Sequence, residues 1–326
     1  MIRFFSSAHP FNILLLFLLG FIIRIPFFIA PIEVPVSVSA GGLYSFLHNS
    51  LLIDLKSYPI LLPSIAYIII FIQALSVNGF INNQKLFASP HMLFILSYLI
   101  FTALIPEWNT VSPQLISSIF LTIVIQKFIM ANQKTQITND LFMISTLSGL
   151  AGLIYKPAVI FLILIFLGII IFRSFRPADW IIVILGFLFP YYLAFSYLFI
   201  FDHWDLAKSL FPTLGMQKPV FFQQSEDVVI IILIAVPIVI GFFHARRNAV
   251  RMVVLPRKAW LFISASLLIS LGSYFTGVQY MFDALFLIML PVCFFITAFL
   301  YYPTVKFFPS LYIWLMLGFL VVNHFL

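Results

Sequence analysis

The chain has 326 residues, of which 63% are hydrophobic and 8% charged, and its mean hydropathy is +1.16. These values lie far outside soluble globular domains, and long unbroken apolar runs also exclude an outer-membrane barrel, whose strands alternate polar and apolar positions. The net charge of +7 would point to nucleic acid in a soluble chain; in so apolar a chain it reads as membrane topology, and no nucleic-acid partner is expected. Composition therefore predicts an all-α polytopic transmembrane bundle, with residues 1–326 forming a single integral membrane domain and no soluble module. The lone cysteine, Cys293, falls inside an apolar run, so no intramolecular disulfide can form.

In chain order, Arg3 precedes an apolar run over 11–30. The layout is that of a signal peptide's first two regions, but Pro31, Glu33 and Pro35 follow where small residues would mark cleavage, so an uncleaved first span is expected. The connection 31–58 is long, with an interfacial helix expected over 40–55. Spans are predicted at 59–77, 88–105 and 114–131, and Asn78-Gly79 reads as a helix cap and turn between the first two of these.

The next apolar stretch, 141–172, poses a length problem. It contains 32 residues with Lys156 as its only charge. One helix through all of it would be about 48 Å long, against a hydrocarbon core of about 30 Å. Lys156-Pro157 resolves the conflict, because proline disfavours helix at the preceding residue and clashes within a helix interior. The prediction is a hairpin with arms 140–155 and 157–172, its turn sheltered by neighbouring helices or a cavity. Further spans are expected at 178–200, 228–243, 259–275, 283–302 and 309–325, making eleven. The segment 244–258 (HARRNAVRMVVLPRK) carries five basic residues and reads as a topology anchor on anionic headgroups.

Orientation follows from lysine and arginine bias. With the N-terminus cytoplasmic, twelve of the seventeen basic residues fall inside, and Arg24, Lys56, Lys156, Lys208 and Lys218 fall outside or just within the membrane. The acids, which played no part in placing the spans, divide the opposite way: eight of ten are outer, and only Asp140 and Asp179 are inner. A multi-pass membrane location with the N-terminus cytoplasmic is expected.

No soluble-enzyme motif is present. The six histidines are scattered without ligand spacing, and neither a metal nor a cofactor is called for. What remains is a group of charges at the outer boundary: Arg24 inside the first span, Lys156 at the hairpin apex, Glu33 after the first span and Asp54 near the end of the interfacial segment. Intramembrane ionisable groups are costly and carry a functional hypothesis by default. The competing reading is structural, with Arg24 and Lys156 snorkelling to headgroups and Glu33 solvated in its loop. The outer connection 201–227 mixes aromatics, prolines and acids, its aromatics read as interface anchors.

Two stretches carry a resemblance. TLSGLAGLIYKPAVIFLILIFLGIIIFRSFRPADWIIVILGFLFP (146–190) and FLLGFIIRIPFFIAP (17–31) resemble the middle and the first span of GT-C class glycosyltransferases, which use polyprenyl-phosphate-linked sugars. FIQALSVNGFINNQ (71–84), ALIPEWNTVSPQLISSIFL (103–121) and 149–190 are similar to an uncharacterised polytopic inner-membrane family of Bacteroidota, which adds location but no mechanism. The GT-C resemblance implies a GT-C-like fold and sugar transfer from a lipid-linked donor at the outer face. Arg24 and Lys156 would hold the donor phosphate, Glu33 or else Asp54 would act as general base, and Tyr155, His203 and Trp204 would line the substrate site. The class usually has an acidic pair in the first outer loop, whereas Glu33 stands alone in PIEVPVSVSAGGLY. A non-catalytic membrane subunit or lipid-binding scaffold, within a membrane protein complex, is therefore the alternative, and a transporter or flippase the third. The expected partner is a membrane lipid.

Overall fold

A computed structural model describes residues 2–31, 39–52, 58, 60–132, 137–173, 176–202, 204, 207–210, 225–273 and 281–325. Each of the eleven predicted apolar runs is occupied by an α-helix: α1 (Phe11–Ile29), α2 (Leu61–Asn83), α3 (Leu93–Thr102), α4 (Pro113–Ala131), α5 (Thr138–Ile154), α6 (Phe161–Phe172), α7 (Pro177–Ile200), α8 (Ser225–Ala249), α9 (Val254–Gly272), α10 (Met281–Tyr301) and α11 (Phe307–Phe325). Six of them are long and apolar enough to cross a membrane, namely α1, α2, α4, α7, α9 and the Ile231–Ala249 part of α8. Helices α3, α6, α10 and α11 contribute shorter apolar stretches. The chain is a polytopic helical membrane protein, and its outer helices bear the apolar surface that lipid requires; on α8, Ile232, Val236, Val239 and Phe243 are all exposed at helical spacing.

Local chemistry sets several helix ends. Ser112 caps α4 by accepting from the Leu115 backbone N–H at 3.2 Å, with Pro113 at the first helical position. Pro177 opens α7, and Asp179 in its first turn meets Arg173 at 3.7 Å. The predicted break is present. Helix α5 ends at Ile154, Tyr155 is extended, and Lys156–Ile160 forms a 3-10 turn with Pro157 near its start before α6 begins.

Tertiary packing moved other boundaries. Helix α2 runs straight through Asn78-Gly79 to Asn83, where a turn was expected. Ala74, Val77, Asn78, Phe80 and Ile81 are all buried, so the core-facing stripe continues past the glycine, and burial outweighs the roughly 1 kcal/mol that an interior glycine costs. The chain then turns at Lys85, with φ of 52°. Asn82 clasps the connection that follows, donating to the His91 carbonyl at 3.1 Å and accepting from the His91 N–H at 3.2 Å. Consequently α3 starts at Leu93 and not at 88. The interfacial helix expected over 40–55 starts at Gly42: Gly42–Leu47 is α-helical, His48–Leu52 continues as a π-turn, residues 53–55 lie outside the described residues, and Ala40 pairs with Tyr155. Helix α8 extends through His244, Arg246 and Arg247, because cations in a last turn complement the helix dipole.

Helix α3 is the hub. All ten of its residues are buried, against α1, α2 and α10. At about 15 Å it is too short to span lipid alone, but it never meets lipid, since neighbouring helices surround it. Helices α5 and α7 cross closely through glycine. A Cβ on Gly149 would stand 2.4 Å from the Phe187 carbonyl oxygen, and one on Gly186 would stand 2.1 Å from Ser145 Oγ, a small-residue contact of the kind that drives helix association in membranes.

The connections sort into two ends. At one, the Met92 N–H donates to Phe5, Ser89 meets the Tyr301 hydroxyl, the Trp260 indole donates to Leu86 and Lys258 donates to Phe172. At the other, the Gly41 N–H donates to Ile154, the Tyr44 hydroxyl donates to Val111 and Trp108 packs on Phe286. The first end carries Lys85, Arg173, Arg176, Arg246, Arg247, Arg251, Arg257, Lys258 and Lys306, and is called the basic end below. The second carries Lys156, together with Glu107 and Asp202.

Candidate functional site

The Lys156 end is built on the interrupted hairpin. Where α5 stops, two backbone groups turn towards the first connection: the Ile154 carbonyl accepts from the Gly41 N–H at 2.8 Å, and the Lys156 N–H donates to the Ser39 carbonyl at 3.1 Å. The Ala40–Tyr155 bridge lies between them. The break thus exposes polar backbone within an apolar region, and the first connection satisfies it, as a membrane-embedded break demands. Only glycine fits at 41, since a Cβ there would stand 1.9 Å from the Leu153 carbonyl oxygen. Beyond Gly41 the short helix packs against α5, and Tyr44 anchors it to the start of α4.

Lys156 is half-buried at this apex, while the Tyr155 ring is fully buried in the main core, where it holds the apex in place. Trp204 is exposed and sits beside Phe195 and Phe199 of α7. Glu33, Asp54 and His203 lie outside the described residues. The described segment 39–52 runs between the two acids and passes directly over Lys156.

Arg24 is enclosed. It is 1% exposed, inside α1. Its guanidinium donates to the Gly20 carbonyl at 3.3 Å, the Leu99 carbonyl at 3.2 Å and Thr102 Oγ1 at 2.8 Å, and lies 5.3 Å from the Tyr67 ring centre. The reason lies in the end of α3. The last four carbonyls of a helix lack intrahelical partners, and here the Ala103 N–H tightens onto Ile100 and the Leu104 N–H onto Phe101. Arg24 takes the Leu99 carbonyl. A cation at a helix C-terminus also complements the dipole, and the Tyr67 face adds a cation–π contact. Lys156 is not among the groups that meet the Arg24 guanidinium. Sequence reasoning singled out Arg24 but missed Leu99, Thr102 and Tyr67, whose only advance signal is that α3 is too short to end in water.

Among the described residues, no group of three or more histidine, cysteine or acidic side chains could hold a metal ion. A cavity of about 600 Å³ lies at the basic end between the last turn of α8 and the connection from α10 to α11. Comparison of the chain with family models, with curated proteins and with solved structures returned no match.

Proposed function

We propose that the protein is a GT-C-like membrane protein of eleven spans in the cell inner membrane, with its N-terminus and basic end cytoplasmic, and that the Lys156 end handles a polyprenyl-phosphate-linked sugar at the outer face. The observation that carries the reading is the interrupted helix at Lys156-Pro157 with the first connection folded over it. A break at membrane depth puts a cation near the lipid phosphate level, and the overlying segment is flanked by the acids such chemistry needs. Glu33 lies six positions before Ser39, which bonds the Lys156 backbone; six residue steps span at most about 20 Å. Lys156 holds the donor phosphate by a charge-assisted contact, and Glu33, or else Asp54, takes the proton from the acceptor hydroxyl. Trp204, exposed at the same end, offers a face to a sugar ring. Charge asymmetry between the ends supports the orientation.

The non-catalytic scaffold is the second reading, and a specific observation favours it. Arg24, which an outer-face phosphate site would recruit, is engaged in holding the end of α3. The two readings separate in nanodiscs. Polyprenyl-phosphate lipid bound to the wild type, measured by native mass spectrometry, is expected to be lost in Lys156→Ala with an affinity drop of about tenfold, and kept in Lys156→Arg. Glu33→Gln is expected to keep the lipid while ending release of free polyprenyl phosphate from the sugar-linked donor. Lipid binding without any donor turnover in the wild type selects the scaffold. Binding unchanged in Lys156→Ala removes the site.

A further inference from the structure

The cavity at the basic end is chemically unlike the rest of the surface. His244, Arg247 and Asn248 project from one stripe of α8 at helical spacing, and the turn after Ala249 brings Arg251 in line with them. Across the cavity stands Tyr302, whose ring lies parallel to that of His244 with centres 6.4 Å apart. The Tyr302 hydroxyl is buried and has no hydrogen-bond partner. A buried hydroxyl without a partner is costly and asks for a ligand or water. Among the described residues neither Arg247 nor Arg251 has an ion-pair partner, and none of the cavity's lining residues is acidic. One turn before His244 on α8, Ile240 lines the cavity, joined by Phe299 of α10 and Phe308 of α11. Its wall is therefore cationic at the helix end and apolar towards the helix interiors.

From this we infer that the cavity is a specific site for an anionic phospholipid. Arg247 and Arg251 clamp the headgroup phosphate, Tyr302 swings its hydroxyl, closed off from the cavity in the structure, onto the same group, and the first carbons of an acyl chain lie along Ile240, Phe299 and Phe308. Arginine forks match phosphate oxygens, and a basic pocket between helices at the membrane boundary is suited to such headgroups. A free phosphate would use the same cationic end but leave the apolar wall without a purpose. The site is at the opposite end from Lys156 and stands whether or not that end handles a lipid-linked sugar.

The competing description is a smeared attraction of five basic residues to a charged membrane surface. Arg246 and Arg257 make the two separable, because both are exposed and neither lines the cavity. The purified, delipidated full chain in neutral detergent is titrated with phosphatidylglycerol, phosphatidylcholine or glycerol 3-phosphate, reading bound ligand by native mass spectrometry. The wild type is expected to bind phosphatidylglycerol in preference to the other two. Removing both charges with Arg247→Gln and Arg251→Gln should weaken binding by about tenfold per arginine, the loss of a charge-assisted contact each, whereas Arg246→Gln with Arg257→Gln should leave it unchanged. Tyr302→Phe removes one oxygen and no volume of consequence, so it tests the cavity even if the double arginine variant misfolds, and it too should weaken phosphatidylglycerol binding. Equal losses in the two arginine pairs, unchanged binding in Tyr302→Phe, or glycerol 3-phosphate bound as tightly as the lipid would each overturn the inference.

Discussion

Arg24 lies in a helix that faces lipid on one side, and a snorkelling role would have sent it to the surface. The side chain turns inward instead, because the C-terminus of α3 ends inside the protein and presents the Leu99 carbonyl to it. One terminal nitrogen, Nη2, donates to both Leu99 and Thr102 while Nη1 donates to Gly20, a span across two nitrogens that the single nitrogen of an ammonium does not reproduce. Arg24→Lys keeps a buried charge and loses that geometry, which should cost about 2–3 kcal/mol. Arg24→Met leaves one carbonyl unpaired at about 1–3 kcal/mol, partly offset by removing a desolvated cation, so it should melt between the wild type and Arg24→Lys in detergent. An Arg24→Lys protein that melts with the wild type would sink the capping role. A phosphate-binding role ranks the two variants the other way in lipid affinity.

The hairpin α5–α6 and its neighbour α7 show how an element too short for the bilayer is accommodated. Pro157 stops regular helix locally, but the broken backbone survives in an apolar region only because Ser39 and Gly41 satisfy it. Helix α7 then braces the hairpin by approaching α5 through glycine. Gly186 is the tighter of the two contact points, with the Phe142 carbonyl oxygen 2.7 Å from where a Cβ would stand, besides Ser145 Oγ. Backbone cannot rotate away as a flexible side chain could. Gly186→Val is expected to destabilise by about 3 kcal/mol through overpacking, whereas a same-helix change on the exposed side, Leu185→Val, should stay within about 0.5 kcal/mol. Comparable melting temperatures for the two variants would mean that the α5–α7 crossing is looser than described.

Across the whole molecule, the sorting of connections into a basic end and a Lys156 end makes a topological prediction. With Cys293, which is buried and free, replaced by alanine, single cysteines at Ser7 and Ser50 occupy exposed positions at opposite ends. In intact cells an impermeant maleimide should label Ser50→Cys and leave Ser7→Cys untouched until the membrane is opened. Labelling of both from outside contradicts the two-ended arrangement, and labelling of Ser7→Cys alone inverts it. Much of this plan was legible in the chain itself. The membrane class, the positions of the apolar runs, the break at Lys156-Pro157 and the charge asymmetry all follow from properties of residues and their immediate neighbours: transfer free energy, proline geometry and the cost of moving a cation across lipid. Those terms act within a turn or a span, so sequence alone reads them. Tertiary structure decided what depends on partners distant in the chain. Helix α2 overran Asn78-Gly79 because its buried stripe had a core to meet. Arg24 became a cap because α3, 75 residues away, ended beside it. Tyr302 completed a basic cavity because α8 and α10 pack side by side. Each of these contacts gains its energy only once the chain has folded, and no local pattern encodes that meeting.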